Sequence, residues 1–372
     1  MSKRLYASKK ILKPCLTLSE GWMQKRGWQP QVFQKQAWQN LLSGGQGLVN
    51  APTGSGKTYA LLLPAICSLA LQPPAMGLQI IWLTPIRALA KEICLSAQRV
   101  IDDLQVHITV GIRTGDTSEA DRAKQKKDIP HILITTPESL HLMLARKGCT
   151  DFFKYLQLFV ADEWHELLST KRGVQAELAL SRLRTLAPHM CTWGISATIG
   201  NLPEAMRVLL GKNDSGKGHI IKSELQKDIE VISLMPAEVE MMPWAGHLGI
   251  KLMAPLLPII AQSESTIIFT NTRAQCEVWY RKLLEAEPAL AGVLAMHHGS
   301  ISKELRSWVE DMLYQGKLKA VVSTSSLDLG VDFAPVETIV QIGGPKGVAR
   351  FIQRAGRSGH RPGAASTIYF LP

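Results

Sequence analysis

The sequence predicts an α/β protein built as two doubly wound parallel-sheet domains in tandem. Three observations carry that prediction. The chain has 372 residues, more than one hydrophobic core usually organises. Short apolar runs without polar alternation recur along it, as strands covered on both faces require. Segments of helical period separate the runs, and that alternation is the mark of βαβ units.

In the first half, "GLVN" (47–50), "QIIWLT" (79–84), "HILITT" (131–136), "LQLFVAD" (156–162) and "CTWGIS" (191–196) read as buried strands. Residues 86–104, 137–146 and 171–187 place apolar side chains three and four apart and read as helices. "GKNDSGKG" (211–218) is glycine-rich, polar and aperiodic, so it reads as a linker between domains at 1–212 and 213–372. The pattern then restarts. "IEVISL" (229–234), "TIIFT" (266–270), "GVLAM" (292–296), "KAVVST" (319–324) and "TIVQI" (338–342) are the strands, with helices at 272–286 and 302–315.

Composition narrows the class. Hydrophobic content of 46% with 20% charged residues describes a folded globular chain. The formal charge of +11 suits a polyanionic partner, nucleic acid first, although a merely basic protein has the same balance. The six cysteines form no CxxC pair, which argues against a zinc site or disulfide framework and suits a reducing cytosol. "MSKRLYASKKILKPCL" lacks the apolar core of a signal peptide. "ALLLPAICSLAL" (60–71) is too short to span a bilayer, so no membrane association is expected.

"APTGSGKT" (51–58) is GxxxxGK[ST] with alanine in first place, between a strand and an apolar helix. Thr53, Gly54, Ser55 and Gly56 form a loop whose backbone N–H groups can wrap a phosphate. Lys57 would reach the β- and γ-phosphates, and the Thr58 hydroxyl would ligate Mg²⁺. "FVADEWH" (159–165) ends a strand with two carboxylates. Asp162 suits a Mg²⁺ contact and Glu163 suits orienting the attacking water, whereas alone the pair could be an exposed turn. "SAT" (196–198) by itself reads as a helix cap. "TPIRALA" (84–90) and "TTPESL" (135–140) each set Thr-Pro between a strand and a helix. Proline at N1 and Ser/Thr caps account for both, and paired helix N-termini also make seats for backbone phosphates.

In order, a glutamine before the P-loop, "APTGSGKT", "TPIRALA", "TTPESL", "DEWH", "SAT", "FTNTR" (269–273), "STSSLDLGVD" (323–332) and "QRAGRSGH" (353–360) resemble the superfamily 2 helicases. "RTGDTS" (113–118), "DEWHELLSTKRG" (162–173) and "SSLDLGVD" (325–332) resemble the large helicase-related (Lhr) family of DExH-box proteins, nearest its bacterial ligase-associated branch. The resemblance covers residues 20–372. It implies tandem RecA-like domains with ATP in the cleft between them, and a DNA helicase or translocase in the bacterial cytosol. It further implies 3′→5′ movement on single-stranded DNA, with duplexes or RNA–DNA hybrids unwound in repair beside a ligase and a nuclease.

Carried over by position, Gln34 would read the adenine edge, with Gln36 as the alternative. Trp28 and Trp38 pack either around the base or in the core. Asp332 would touch the ribose. Pro85, Arg87, Gly115, Thr136 and Pro137 in the first half, and Thr270, Arg273, His298, Ser300 and Thr324 in the second, would follow the nucleic-acid backbone. Arg357 is the arginine finger on the γ-phosphate and Arg354 supports the charge of the cleft. His360 stands where many relatives have a second arginine, so a two-arginine mechanism does not carry over. Two other readings stay open. One is an ATP-dependent nucleic-acid clamp that does not unwind, because the resembled family continues into winged-helix and further domains. The other is an RNA remodeller, disfavoured by His165 and the 162–173 stretch.

Overall fold

Every strand foreseen from an apolar run forms, to within two residues at either end. A computed structural model describes residues 9–72, 76–211, 218–225, 228–235, 252–328, 336–345, 347–358 and 366–372. The chain divides into two units, Met1–Leu225 and Gln226–Pro372.

The first unit begins with α1 (Lys9–Lys25) and α2 (Val32–Leu42), then β1 (Gly47–Asn50), α3 (Leu62–Ala70), β2 (Ile80–Leu83) and α4 (Arg87–Leu104). Next come β3 (Val110–Arg113), α5 (Glu119–Lys127), β4 (Ile132–Thr135), α6 (Pro137–Leu144) and α7 (Cys149–Phe153). It ends with β5 (Leu158–Ala161), α8 (Trp164–Leu167), α9 (Lys171–Leu186), β6 (Cys191–Ser196), α10 (Leu202–Leu210) and β7 (His219–Lys222). Its seven strands run in the order β3-β4-β2-β5-β6-β1-β7, all parallel.

The absence of polar alternation has its reason in the packing. Ile80, Trp82, Ile132, Ile134 and Val160 face one apolar cluster, while their strand neighbours Ile81, Leu83, Leu133, Phe159 and Ala161 face another. Strands β3 and β7 escaped the apolar-run criterion because they are the sheet edges and only partly buried. β7 pairs with β1 from Gly47↔His219 to Asn50↔Lys222, so the first unit continues past the linker foreseen at 211–218. Residues 212–217 of that linker lie outside the described ones.

The second unit contains β8 (Ile229–Ser233), α11 (Met253–Gln262), β9 (Thr266–Phe269), α12 (Arg273–Ala286) and β10 (Leu294–His297). These are followed by α13 (Lys303–Tyr314), β11 (Ala320–Ser323), β12 (Thr338–Ile342), α14 (Val348–Ala355) and β13 (Ser366–Leu371). Its parallel sheet has the order β10-β11-β9-β12-β13-β8. Ile268, Val322 and Val340 face one cluster, and Ile267, Val321 and Ile339 the other. Both units are therefore parallel sheets with apolar layers on both faces. Among the described residues no helix is long and apolar enough to cross a membrane.

Candidate functional site

A parallel sheet gathers the C-terminal ends of its strands on one edge, and in open α/β sheets that edge is where ligands bind. In the first unit the glycine-rich loop leaves β1 there, "DEWH" leaves β5 and "SAT" leaves β6. Gly54 and Gly56 have φ of +80° and +74°, which only glycine adopts cheaply. A Cβ on Gly56 would also stand 2.9 Å from Gln34 Nε2.

The loop does not pass straight into an α-helix as foreseen. Lys57–Ala60 form a 3₁₀ turn, and α3 starts only at Leu62. Tyr59 N–H donates to the Gly56 carbonyl and Leu61 N–H to that of Thr58, tightening the chain while the Lys57 ammonium donates to Glu163 Oε1. That ion pair is buried on both sides, at 10% and 7% side-chain exposure. Glu163 itself sits in the left-handed region at φ +45°, a turn that aims its carboxylate at the loop.

Asp162 is held by two donors: Trp82 Nε1–H at 2.9 Å to Oδ2 and the Glu163 N–H at 2.8 Å to Oδ1. Burial, and then the Glu163 charge, push its carboxyl up to about 6 against the pull of Lys57. A carboxylate accepts about four hydrogen bonds or ligands, so lone pairs remain for a hydrated cation. His165 Nδ1 lies 2.8 Å from Ser196 Oγ, which ties "DEWH" to "SAT" and gives the latter a partner beyond helix capping. Gln34 Nε2–H donates to the Gly56 carbonyl at 2.9 Å, while its Oε1 accepts from Gln31 N–H. Gln34 thus braces the phosphate loop. Trp38 is fully buried and donates to the Tyr59 carbonyl, whereas Trp28 is 41% exposed and packs edge-on against Trp22 and tilted against Tyr59. Glycines with positive φ, a lysine, a hydroxyl in Thr58 and a buried carboxylate suit a Mg²⁺–nucleotide.

The remaining first-unit candidates share the same edge. Arg87 opens α4 and pairs with Asp116, and a Cβ on Gly115 would lie 2.7 Å from Arg87 Nη2. The Arg87 guanidinium lies over the Gly115 backbone, and a side chain there would push it aside. Pro85 precedes the N-cap of α4, which is Ile86, and Pro137 is the first residue of α6. The side-chain caps expected from the sequence are not made: neither Ile86 nor Thr136 caps its helix with a side-chain bond. Thr136 Oγ1–H donates instead to Ser139 Oγ.

In the second unit the candidates again follow strand ends. Thr270 leaves β9, and its hydroxyl donates to the carbonyls of Thr272 and Ser323. Arg273 opens α12, whose N-cap Thr272 accepts from Gln275 N–H at 3.2 Å. His298 and Ser300 follow β10, with Ser300 N–H donating to His298 Nδ1 at 3.3 Å. Burial depresses the His298 imidazole below its ordinary range. Thr324 leaves β11 with its hydroxyl 3.4 Å from Ser326 Oγ.

Arg354 departs from its expected place. Its Nε and Nη2 grip the Asp328 carboxylate at 2.7 and 3.0 Å, and Nη1 donates to Gln341 Oε1 at 2.6 Å. The guanidinium also lies 4.4 Å from the Phe269 ring centre. At 2% exposure it is a buried strut and not a phosphate ligand, because all three nitrogens are engaged inside the unit. Arg357 is half-buried and donates through Nε and Nη2 to the Asp328 carbonyl. Asp332 and His360 lie outside the described residues. Sequence reasoning missed Asp328 and Trp82. Both stand inside or beside quoted motifs, and the only signal for them was a charged or large polar-tipped side chain within an otherwise buried stretch.

The DEAD/DEAH box helicase family matches residues 31–206, and the helicase conserved C-terminal domain matches 250–362. The chain is 35% identical over 345 residues to ATP-dependent helicase Lhr-Core protein 2 of Thermococcus barophilus, covering 88% of this chain and 40% of that one. It is 30% identical over 410 residues to the Escherichia coli Lhr helicase/uracil glycosylase, covering 94% and 27%. The structure of Mycobacterium smegmatis helicase Lhr bound to ssDNA and AMP-PNP superposes with a TM-score of 0.83 at 33% identity, over 95% of this chain and 47% of that one. A DEAD-box protein, Mss116p bound to ssRNA and AMP-PNP, shares the fold at a TM-score of 0.78 and 19% identity. The chain thus spans less than half the length of these Lhr relatives.

Proposed function

The chain belongs to the Lhr family of superfamily 2 helicases, with two tandem RecA-like domains, and from that premise we propose that it is an ATP-driven motor on single-stranded DNA. It moves 3′→5′ and opens duplexes, RNA–DNA hybrids among them, in DNA repair in the bacterial cytosol beside a ligase and a nuclease. The observation that carries the reading is the buried Lys57–Glu163–Asp162 group under a glycine loop, on the edge where Arg87 and Thr136 stand. The relative bound to ssDNA and AMP-PNP supports DNA as the strand.

Bound ATP with Mg²⁺ supplies the phosphoanhydride and the divalent charge, with Thr58 and Asp162 holding the metal and Thr53–Lys57 the phosphates. Glu163 is left to orient a water once Lys57 turns to phosphate. Trp82 keeps Asp162 aimed, and His165 couples that carboxylate pair to Ser196 at the end of β6. Arg357 adds the charge of a finger, with Arg354 and Asp328 fixing the segment that carries it.

Steady-state ATPase with and without single-stranded DNA, beside a strand-displacement assay, tests the proposal. Lys57→Ala should abolish hydrolysis. DNA-stimulated ATPase without displacement would mean a clamp, stimulation by RNA alone would mean an RNA remodeller, and substantial ATPase in Lys57→Ala would remove the P-loop from the chemistry.

A further inference from the structure

Beside the edge strand β3 of the first sheet lies a cavity of about 940 Å³. Gly77, Ile129 and Tyr155, on segments entering β2, β4 and β5, line one side of it, and Arg113, from the C-terminal end of β3, lines another. Arg113, the last residue of β3, is 4% exposed, and the only hydrogen-bond partner of its guanidinium among the described residues is Gln125, whose Oε1 accepts from Nη1 at 3.4 Å. Among the described residues no carboxylate answers it. Burial, and then the positive charges of Arg146 and Arg122, hold its guanidinium below the usual range.

The rest of the lining has the same sign. Lys126, Arg146, Lys147 and Lys154 stand around the mouth, and the single acid in the lining, Asp151, is engaged with Lys154 at 3.3 Å. Burying a cation without a counter-charge is costly, and surrounding it with further cations raises that cost. An arrangement of this kind is relieved by an anion from outside, and a guanidinium fork suits phosphate oxygens best. The floor is apolar, from Met143, Phe152 and Tyr155, and the volume falls within the usual range for small-molecule sites.

We propose that this cavity is a second phosphate-binding site, distinct from the P-loop and formed by residues other than those assigned to strand tracking, which takes a nucleotide unit with its phosphate on Arg113 and Arg146 and its base against Tyr155 and Phe152. The unit comes either from a nucleic-acid strand or from a free nucleotide.

Arg146→Glu/Lys147→Glu, on exposed positions, places carboxylates beside Arg113 and closes the site without touching the sheet. Arg281→Glu/Lys282→Glu on α12 is the charge-matched control. Arg113→Gln, with its fold checked by circular dichroism, removes the buried charge itself. A short fluorescein-labelled single strand is titrated by anisotropy over a range of salt, and ADP is titrated by calorimetry. If the occupant is a strand, the Arg146/Lys147 variant loses about tenfold in affinity beyond the control, and its log–log salt slope falls by one to about two. If it is a free nucleotide, calorimetry finds two ADP sites in the wild type and one in the variant. Strand affinity equal to the control together with a single ADP site in the wild type overturns the proposal. Strand-stimulated ATPase at saturating strand stays at the wild-type rate in the Arg146/Lys147 variant. A wild type without such stimulation would sink the motor reading and leave the anion site to be judged on its own titrations.

Discussion

Glu163→Gln separates the resting role of this carboxylate from its role in turnover. In the resting structure it is the counter-charge of Lys57, with both side chains at or below 10% exposure, so solvent screens the pair little. Removing one member of a buried pair costs about 3–5 kcal/mol, and Asp162, already within the field of Lys57, argues for the lower end. A loss of about 3 kcal/mol in a unit the size of Met1–Leu225 lowers its Tm by roughly 6–12 °C. The same change removes a competitor for Lys57, because wild-type protein must break the pair before the ammonium can meet a phosphate. AMP-PNP should therefore bind the variant more tightly, by as much as about 100-fold if the whole 3 kcal/mol returns. Turnover should nonetheless fall by orders of magnitude, since the amide cannot position water as the carboxylate does. Differential scanning fluorimetry in chelator, with and without AMP-PNP, and a nucleotide titration read both quantities. An unchanged apo Tm with unchanged or weaker nucleotide affinity would refute the competition argument, and unchanged kcat would make Asp162–Glu163 a mere strand terminus.

Arg354→Lys should destabilise the second unit by about 3 kcal/mol or more, since an ammonium cannot grip Asp328 in two places and reach Gln341 as well; a melting point within error of wild type would contradict the strut. Arg357→Ala should leave nucleotide affinity intact while the plateau of DNA-stimulated ATPase drops on the order of a thousandfold, and a shifted midpoint with an unchanged plateau would assign Arg357 to DNA instead. In metal-free buffer the Asp162 carboxyl keeps its proton up to about pH 6 in the folded chain, against 3.8 for its ordinary value. The native state then binds more protons than the unfolded one between those values, so this group's contribution to stability is complete below the lower and lost as pH rises through the upper. The stability difference between wild type and Asp162→Asn should change across that window, and a flat difference would refute it.

In the first unit what the sequence made legible followed from burial symmetry, whereas in the second the half-exposed edge strand β8 was foreseen and the inner strand β13 was not. β2, β4 and β5 bury both faces, so "IIWL", "ILIT" and "LFVA" announce themselves as apolar runs. β3 and β7 bury only part of their surface at the sheet edges, and "VGIR" and "HIIK" carry no comparable signal. The site divides along a similar line. Lys57, Asp162 and Glu163 stand in strings whose spacing reflects phosphate and metal chemistry, which local sequence can express. Their resting partners are 80 to 106 residues away, in Trp82 for Asp162 and Glu163 for Lys57, and no local spacing encodes such a pairing. "QRAGRSGH" shows the consequence. Its two described arginines are alike on paper, three residues apart, yet Arg354 is 2% exposed and bound to a carboxylate while Arg357 is half-buried and donates to the Asp328 carbonyl. Arg354 has its counter-charge in Asp328 within the unit, so it is committed before any nucleotide arrives. Arg357 is less deeply buried, and its bond to the neutral Asp328 carbonyl is one that a phosphate can replace at small cost, which is the physical reason to assign the finger to it and not to its neighbour.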